Sequence, residues 1–387
     1  MRSAATNFCA LVALTSWVTA IAAVPSNAPP PVPGPAASEI KSPPTAVRSA
    51  PSRPMVAPAL PPGLRLGRTD YVSATDVAAW LGLKVAWIDP QKRLALTDGT
   101  GNRAEFNAEG RETLINGLRV FLGHPTVLRE GKLYVSRIDA LRCLAPLLRP
   151  GFGATLPAPA RIIVLDPGHG GDDPGTENKA FGLREKILTL DVAQRSKKIL
   201  EAAGFKVLLT RNADEALAAN KMLDLALRPD FARRERADLF VSIHFNASAK
   251  DTRGTEVFTF APRQQSSTDS WGMRQDDSET DEAPGNQFDH WNVVLAGAMH
   301  RNLLQTLKTE DRGKKIAHWA VLRTLTCPGV LVEPAIITNE SDARRVATPE
   351  FRQQIAEALA AGVRQYVATL DSLRANPASA SGGSPGR

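Results

Sequence analysis

The chain has 387 residues, 43% of them hydrophobic, and its 47 Lys and Arg against 40 Asp and Glu give a formal net charge of +7. That length leaves room for two domains plus extensions, and the hydrophobic fraction supports a sizeable core. The basic residues are scattered, not gathered into a stripe with interleaved aromatics, which excludes nucleic acid as an expected partner.

In chain order, residues 1–24 read as a secretory signal peptide. Arg2 supplies a positive start, Phe8 to Ala22 is mostly apolar, and Ala20-Ile21-Ala22 offers small residues for cleavage. The apolar run is short for a membrane span; an uncleaved N-terminal anchor is the alternative reading. No other segment is long and apolar enough to span a bilayer. The chain is therefore expected to be exported and, after signal cleavage, not an integral membrane protein. Cys9 falls in the signal, while Cys143 and Cys327 are expected as free, buried thiols. With no CxxC pair, a thiolate zinc site is excluded. Residues 25–62 hold thirteen of the 29 prolines. Such a stretch cannot bury enough apolar surface to fold and is expected to act as a semi-rigid linker, reaching on the order of 100 Å.

Residues 63–150 form a small α+β pattern. Tyr71-Val72-Ser73 precedes a helix over Thr75 to Leu81 that stops at Gly82. Strands follow at Lys84 to Trp87, Arg93 to Thr97 and Arg103 to Asn107. Leu114-Ile115-Asn116-Gly117-Leu118 reads as a hairpin, because Asn-Gly favours a type I′ turn. Tyr134-Val135-Ser136 repeats the earlier tripeptide and again precedes a helix, Ile138 to Leu148, which hints at an internal duplication. This part resembles the copper amine oxidase N-terminal-like domain, also found as an accessory module in bacterial envelope proteins. The resemblance implies a binding or spacer role and not copper chemistry, and His124 is the only histidine here.

From residue 160 onward strands and helices alternate. Strands are predicted at 161–166, 205–210, 238–243, 255–260 and 328–333, and helices at 184–203, about 230–237, 291–307 and 349–370. Short apolar runs bounded by turn residues read as buried strands. The expected fold is α/β, a mostly parallel sheet with helices on both faces, preceded by the small α+β domain. Residues 261–289 break the rhythm: they are acidic and Ser-rich, with Trp271 and Phe288 as large aromatics. A loop of this length is functional or disordered. The tail, 373–387, is expected to be disordered.

Three chemistry-bearing residues close predicted strands. His169 follows Asp166-Pro167-Gly168, His244 follows Val241-Ser242-Ile243, and Glu333 follows Val330-Leu331-Val332. Ligands in open α/β sheets bind outside the carboxyl ends of the strands, so these side chains can converge. Zinc hydrolases commonly use two histidines and one carboxylate and leave a fourth position for water. Glu185, in the first turn of the helix after the Gly-rich loop, is one candidate for that carboxylate. A first-turn acid also complements the helix dipole, and Asp172 and Asp173 compete for the role. Glu333 is either a general base or the partner of a helix terminus or an arginine. His290, His300 and His318 read as surface or packing residues.

Taken together, Leu165-Asp166-Pro167-Gly168-His169-Gly170-Gly171, Leu183-Arg184-Glu185-Lys186, Ala237 to Ala247 and Pro328-Gly329-Val330-Leu331-Val332-Glu333 with Thr338-Asn339 resemble the zinc-dependent N-acetylmuramoyl-L-alanine amidase family. Leu209-Thr210-Arg211, Gly254-Thr255-Glu256-Val257, Asp311-Arg312-Gly313 and Val321-Leu322-Arg323 add to the likeness, which covers about residues 160–370. The resemblance implies a catalytic domain over 160–372, Zn2+ as cofactor on His169, Glu185 and His244, and Glu333 as catalytic residue. It also implies peptidoglycan as substrate, cleaved between muramic acid and L-alanine, and a place in the periplasm or cell envelope. It suggests that 261–289 is a self-blocking segment on which a regulatory envelope protein acts. Members usually carry Gly-Phe after the catalytic glutamate; here Pro334-Ala335-Ile336 follows. Two other functions are compatible with the residues: a zinc peptidase acting on stem peptides, and a non-catalytic wall-binding protein.

Overall fold

The computed structural model describes residues 59–268 and 281–376. The expected signal peptide, most of the Pro-rich linker, Trp271 and the end of the tail lie outside the described residues. The accessory part begins with β1 (Leu64–Leu66), β2 (Thr69–Ser73) and α1 (Ala74–Leu81). It continues with β3 (Lys84–Asp89), β4 (Arg93–Thr97), β5 (Arg103–Asn107), β6 (Glu112–Ile115) and β7 (Leu118–Phe121). It closes with β8 (Val127–Arg129), β9 (Lys132–Ser136), α2 (Arg137–Asp139), a π turn and α3 (Ala145–Leu148).

Local chemistry sets these elements. Ser73 caps α1 by accepting from the Asp76 amide, and Gly82 ends it in the left-handed region. Asn116 and Gly117 both have positive φ, as a type I′ turn between β6 and β7 requires. The repeated Tyr-Val-Ser has a structural meaning: the two copies pair antiparallel, Tyr71 with Ser136 and Ser73 with Tyr134, and Ser136 caps α2 as Ser73 caps α1.

The second part runs β10 (Ile162–Pro167), β11 (Glu177–Asn178), β12 (Leu183–Arg184), α4 (Glu185–Ala202), β13 (Lys206–Leu209), α5 (Lys221–Arg234) and β14 (Leu239–Ile243). It continues with β15 (Thr255–Phe260), α6 (Asp289–Leu307), β16 (Asp311–Ala317), α7 (Ala320–Arg323), β17 (Gly329–Glu333), α8 (Glu340–Val346) and α9 (Pro349–Ala375). Side chains alternate between two cores. Ile163, Leu165, Val241, Ile243, Val330 and Val332 pack with α4, α6 and α9, while Val164, Phe240, Phe258 and Leu331 pack with residues of α5 and α7. Helices thus cover both faces. Among the described residues, no helix is long and apolar enough to cross a membrane. Cys143 and Cys327 are free and buried, and burial pushes their thiols up to about 11 and about 12.

The expected mostly parallel sheet is corrected to a mixed one. Eleven strands run in the order β13-β10-β14-β17-β15-β16-β7-β6-β5-β4-β3. The β13-β10-β14-β17 block is parallel, but β15 is antiparallel to β17, and the accessory strands from β7 to β3 form an antiparallel meander. An apolar strand buried on both faces reads the same in either direction, so composition cannot report this. The accessory part joins the edge of β16 through β7, where Val120 pairs with Lys314 and the Arg119 amide donates to Asp311. At Gly313 (φ +98) a Cβ would stand 2.7 Å from the Phe121 ring, so the junction depends on that glycine. Two helices also differ from expectation. α5 runs over Lys221–Arg234, not 230–237, because Asn220 caps it early and Pro229 is tolerated inside it. α9 extends to Ala375.

Candidate metal centre

His169 lies one turn of loop beyond β10, Glu185 opens α4 and His244 follows β14. All three reach one point. Glu185 Oε1 is 3.1 Å from His169 Nε2 and 3.0 Å from His244 Nδ1. Among the described residues, these three form a group whose possible ligand atoms lie within 4.8 Å of one another. Tetrahedral zinc with bonds of about 2.1 Å needs ligand atoms roughly 3.4 Å apart; both Glu185–histidine spacings are within a few tenths of an ångström of that, and the donor set of two imidazoles and one carboxylate fits such an ion. Glycines make the approach possible. A Cβ on Gly168 would meet the His244 ring at 2.2 Å, and one on Gly175 would meet Glu185 and His169 at 2.7 Å.

Glu185 sits in the first turn of α4, as the helix dipole favours, but its carboxylate is engaged elsewhere. Its helix has no side-chain cap. The carboxylate instead accepts from the Thr176 and Phe245 amides, at 2.8 and 2.9 Å, while facing both imidazoles. Burial would raise its pKa, but hydrogen bonds to His169 and His244 outweigh it and hold the carboxyl below its usual range. Asp173 stands behind His169, its Oδ2 3.0 Å from Nδ1, in the position from which a carboxylate fixes a ligating imidazole. Asp172 is exposed. Burial opposes a charge on His169, yet the Glu185 and Asp173 contacts raise its pKa overall.

A buried layer beneath the loop sets its shape. His169 has φ 62, an uncommon left-handed conformation for a non-glycine residue, which costs on the order of 1 kcal/mol or more. Arg228 holds it by donating to the carbonyls of His169 and Pro167 and to Asp166 at 2.8–2.9 Å. Asp166 also accepts from Thr210 and Ser242. Arg211 donates to the carbonyls of Pro167, Gly168 and Lys186, tying loop to helix. The sequence reading missed Arg228 and gave Asp166 and Arg211 no role. The available signal was an acid inside the apolar run that ends in Asp166.

Glu333 ends β17 and is buried, with Oε2 lacking any hydrogen-bond partner. Burial chiefly, with Glu185 and Glu256 adding, pushes its pKa well above the usual carboxylate range; Lys315 opposes the shift. Among the described residues, neither a helix terminus nor an arginine bonds to it. Pro334, where the resemblance leads one to expect glycine, offers its carbonyl to Thr255 Oγ1 at 2.9 Å, so its missing N–H disturbs nothing visible here. The other histidines are packed elsewhere: His300 is fully buried 2.6 Å from Asp311, His290 meets the Pro150 carbonyl, and His318 meets that of Gln265. The described arms of 261–289 are not loose. Ala261 and Thr268 donate to β16 carbonyls, and Gln265 donates to Asp139 of the accessory part.

A family model described as N-acetylmuramoyl-L-alanine amidase matches residues 163–365. The chain is 35% identical over 208 residues to an uncharacterised cell wall amidase of Bacillus anthracis, covering 53% of this chain and 35% of that protein. It is 32% identical over 241 residues to N-acetylmuramoyl-L-alanine amidase AmiC of Neisseria meningitidis, covering 56% of each. Among solved structures, N-acetylmuramoyl-L-alanine amidase AmiC2 of Nostoc punctiforme aligns at 30% identity with a TM-score of 0.43, over 54% of this chain and 97% of that one. The chain spans about half the length, or less, of these curated relatives.

Proposed function

Because this chain belongs to the N-acetylmuramoyl-L-alanine amidase family, matched over residues 163–365, we propose that it hydrolyses the amide between N-acetylmuramic acid and L-alanine in peptidoglycan, with zinc as cofactor. The observation that carries this reading is one sheet edge holding a His-Glu-His cluster with donor atoms within 4.8 Å and a buried glutamate with an unpartnered oxygen. His169, Glu185 and His244 would hold the ion. Bound there, it would lower the pKa of a water toward neutrality and polarise the scissile carbonyl. Glu333 takes the proton of the attacking water and returns it to the leaving amine of L-alanine. Asp173 fixes the His169 ring, and Arg228 with Arg211 holds the backbone on which it sits.

The same proposal places the enzyme outside the cytoplasm, in the periplasm or cell envelope, after removal of residues 1–24. It takes 160–372 as the catalytic domain and 63–150 as an accessory module with a binding or spacer role. The insertion 261–289 leaves β15, whose Glu256 stands opposite Glu333, and is proposed as the segment on which a regulatory envelope protein acts.

Mass spectrometry of purified sacculi treated with the protein tests the bond assignment. The expected products are free stem peptides with an L-alanine amino terminus and intact glycan, with release abolished by a zinc chelator. Shortened stems still attached to glycan would instead identify a peptidase, and no products at all would identify a wall-binding protein.

A further inference from the structure

Glu256 and Glu333 are directly opposite in the antiparallel β15–β17 pair. Their side chains therefore share a face, with Cβ atoms about 5 Å apart, and like charges so placed repel unless cations intervene. Among the described residues Arg312 and Lys315 are the cations paired here, and both bind Glu256. Its Oε1 accepts from Arg312 Nε at 2.7 Å and Lys315 Nζ at 2.9 Å, and its Oε2 accepts from Asn246 Nδ2 at 3.1 Å. Glu333 is paired with neither cation. Lys315 also lies over the rings of Phe121 and Phe258, 5.6 and 5.8 Å from its ammonium. Phe121 lies on β7, so the accessory part contributes to this arrangement.

From this geometry we infer that Glu256 is a positioning residue for Glu333: by occupying Arg312 and Lys315 it prevents either from capturing the neighbouring carboxylate, which stays free to face the His-Glu-His cluster. Burial makes the arrangement necessary. In a desolvated pocket a charge-assisted bond from lysine to Glu333 would be strong, and it would hold the carboxylate away from substrate. Asn246, two residues after His244, extends the same clamp to the strand that carries a proposed ligand. The inference rests on the proposed role of Glu333, whereas the geometry of capture can be read without any activity.

Glu256→Gln removes the competing charge and keeps the shape. A crystal structure of this variant should show Lys315 Nζ within hydrogen-bond distance of Glu333; a Glu333 still unpartnered would overturn the inference. In kinetics on labelled peptidoglycan, kcat should fall at least tenfold with KM little changed and zinc content retained. Glu256→Gln with Lys315→Met should recover at least threefold of the loss, because the capturing cation is gone. Parent-like turnover in the single variant, loss of its zinc, or a double variant no better than the single would each contradict the proposal. Should the parent protein release no stem peptides, the amidase reading fails by itself, and the crystal structure still decides whether Glu256 shields Glu333.

Discussion

Glu333→Gln leaves zinc content unchanged and lowers release of stem peptides from sacculi by roughly a thousandfold, within the range general acid–base groups contribute. The carboxyl group sits at the end of β17, desolvated, beside two other glutamates, with one oxygen that has no hydrogen-bond partner among the described residues. Burying a polar group without a partner costs stability, so a purely structural role gives no reason for an acid at this position. Its raised pKa means that the folded protein favours the protonated form. Any contribution of this group to stability is therefore fully present below the unfolded value near 4.5 and is lost as pH rises. Glutamine has the shape without the charge, so the variant should melt at or above the temperature of the parent at neutral pH while losing activity. Thermal denaturation, elemental analysis and sacculus digestion on the same preparation check all three. A variant that keeps parent-like release would remove Glu333 from the mechanism.

The second large effect is on the metal itself. His169→Ala should lower zinc affinity by more than the roughly 10–100-fold that follows removal of an outer partner such as Asp173, and activity should fall with it. Two consequences of the structure make this site sensitive. Glu185 is buried and would keep only His244 and two backbone amides as partners. The left-handed backbone at φ 62 would remain, now without the ring that links it to Asp173 and Glu185. Undiminished zinc by elemental analysis, after dialysis against a weak chelator, would contradict the role given to His169.

The local rules of the sequence were informative wherever one residue decides the geometry. Asn116-Gly117 specifies a turn, Gly82 a helix stop, and the apolar runs before His169, His244 and Glu333 specify buried strands. The convergence of those residues was legible because strand ends of a wound sheet share an edge. Strand β16 was not legible: it buries Lys314 and Lys315, and the Lys315 charge is met by Glu256, 59 positions away in sequence. Strand direction was hidden for the reason that a doubly buried strand has no polar face. The layer of Asp166, Arg211 and Arg228 escaped notice because its logic is long-range; Asp166 and Arg228 are 62 positions apart and meet at 2.8 Å. The choice among Glu185, Asp172 and Asp173 needed coordinates, since all three lie near the Gly-rich loop and only contacts separate a residue facing the cluster from one standing behind it.

Anomalous scattering at the zinc edge, from crystals grown with one equivalent of zinc, addresses the central claim most directly. One strong peak should lie in bonding contact with His169 Nε2, Glu185 Oε1 and His244 Nδ1, with the Glu333 carboxyl group facing it. A peak at another cluster, or none between these three side chains, would contradict the account.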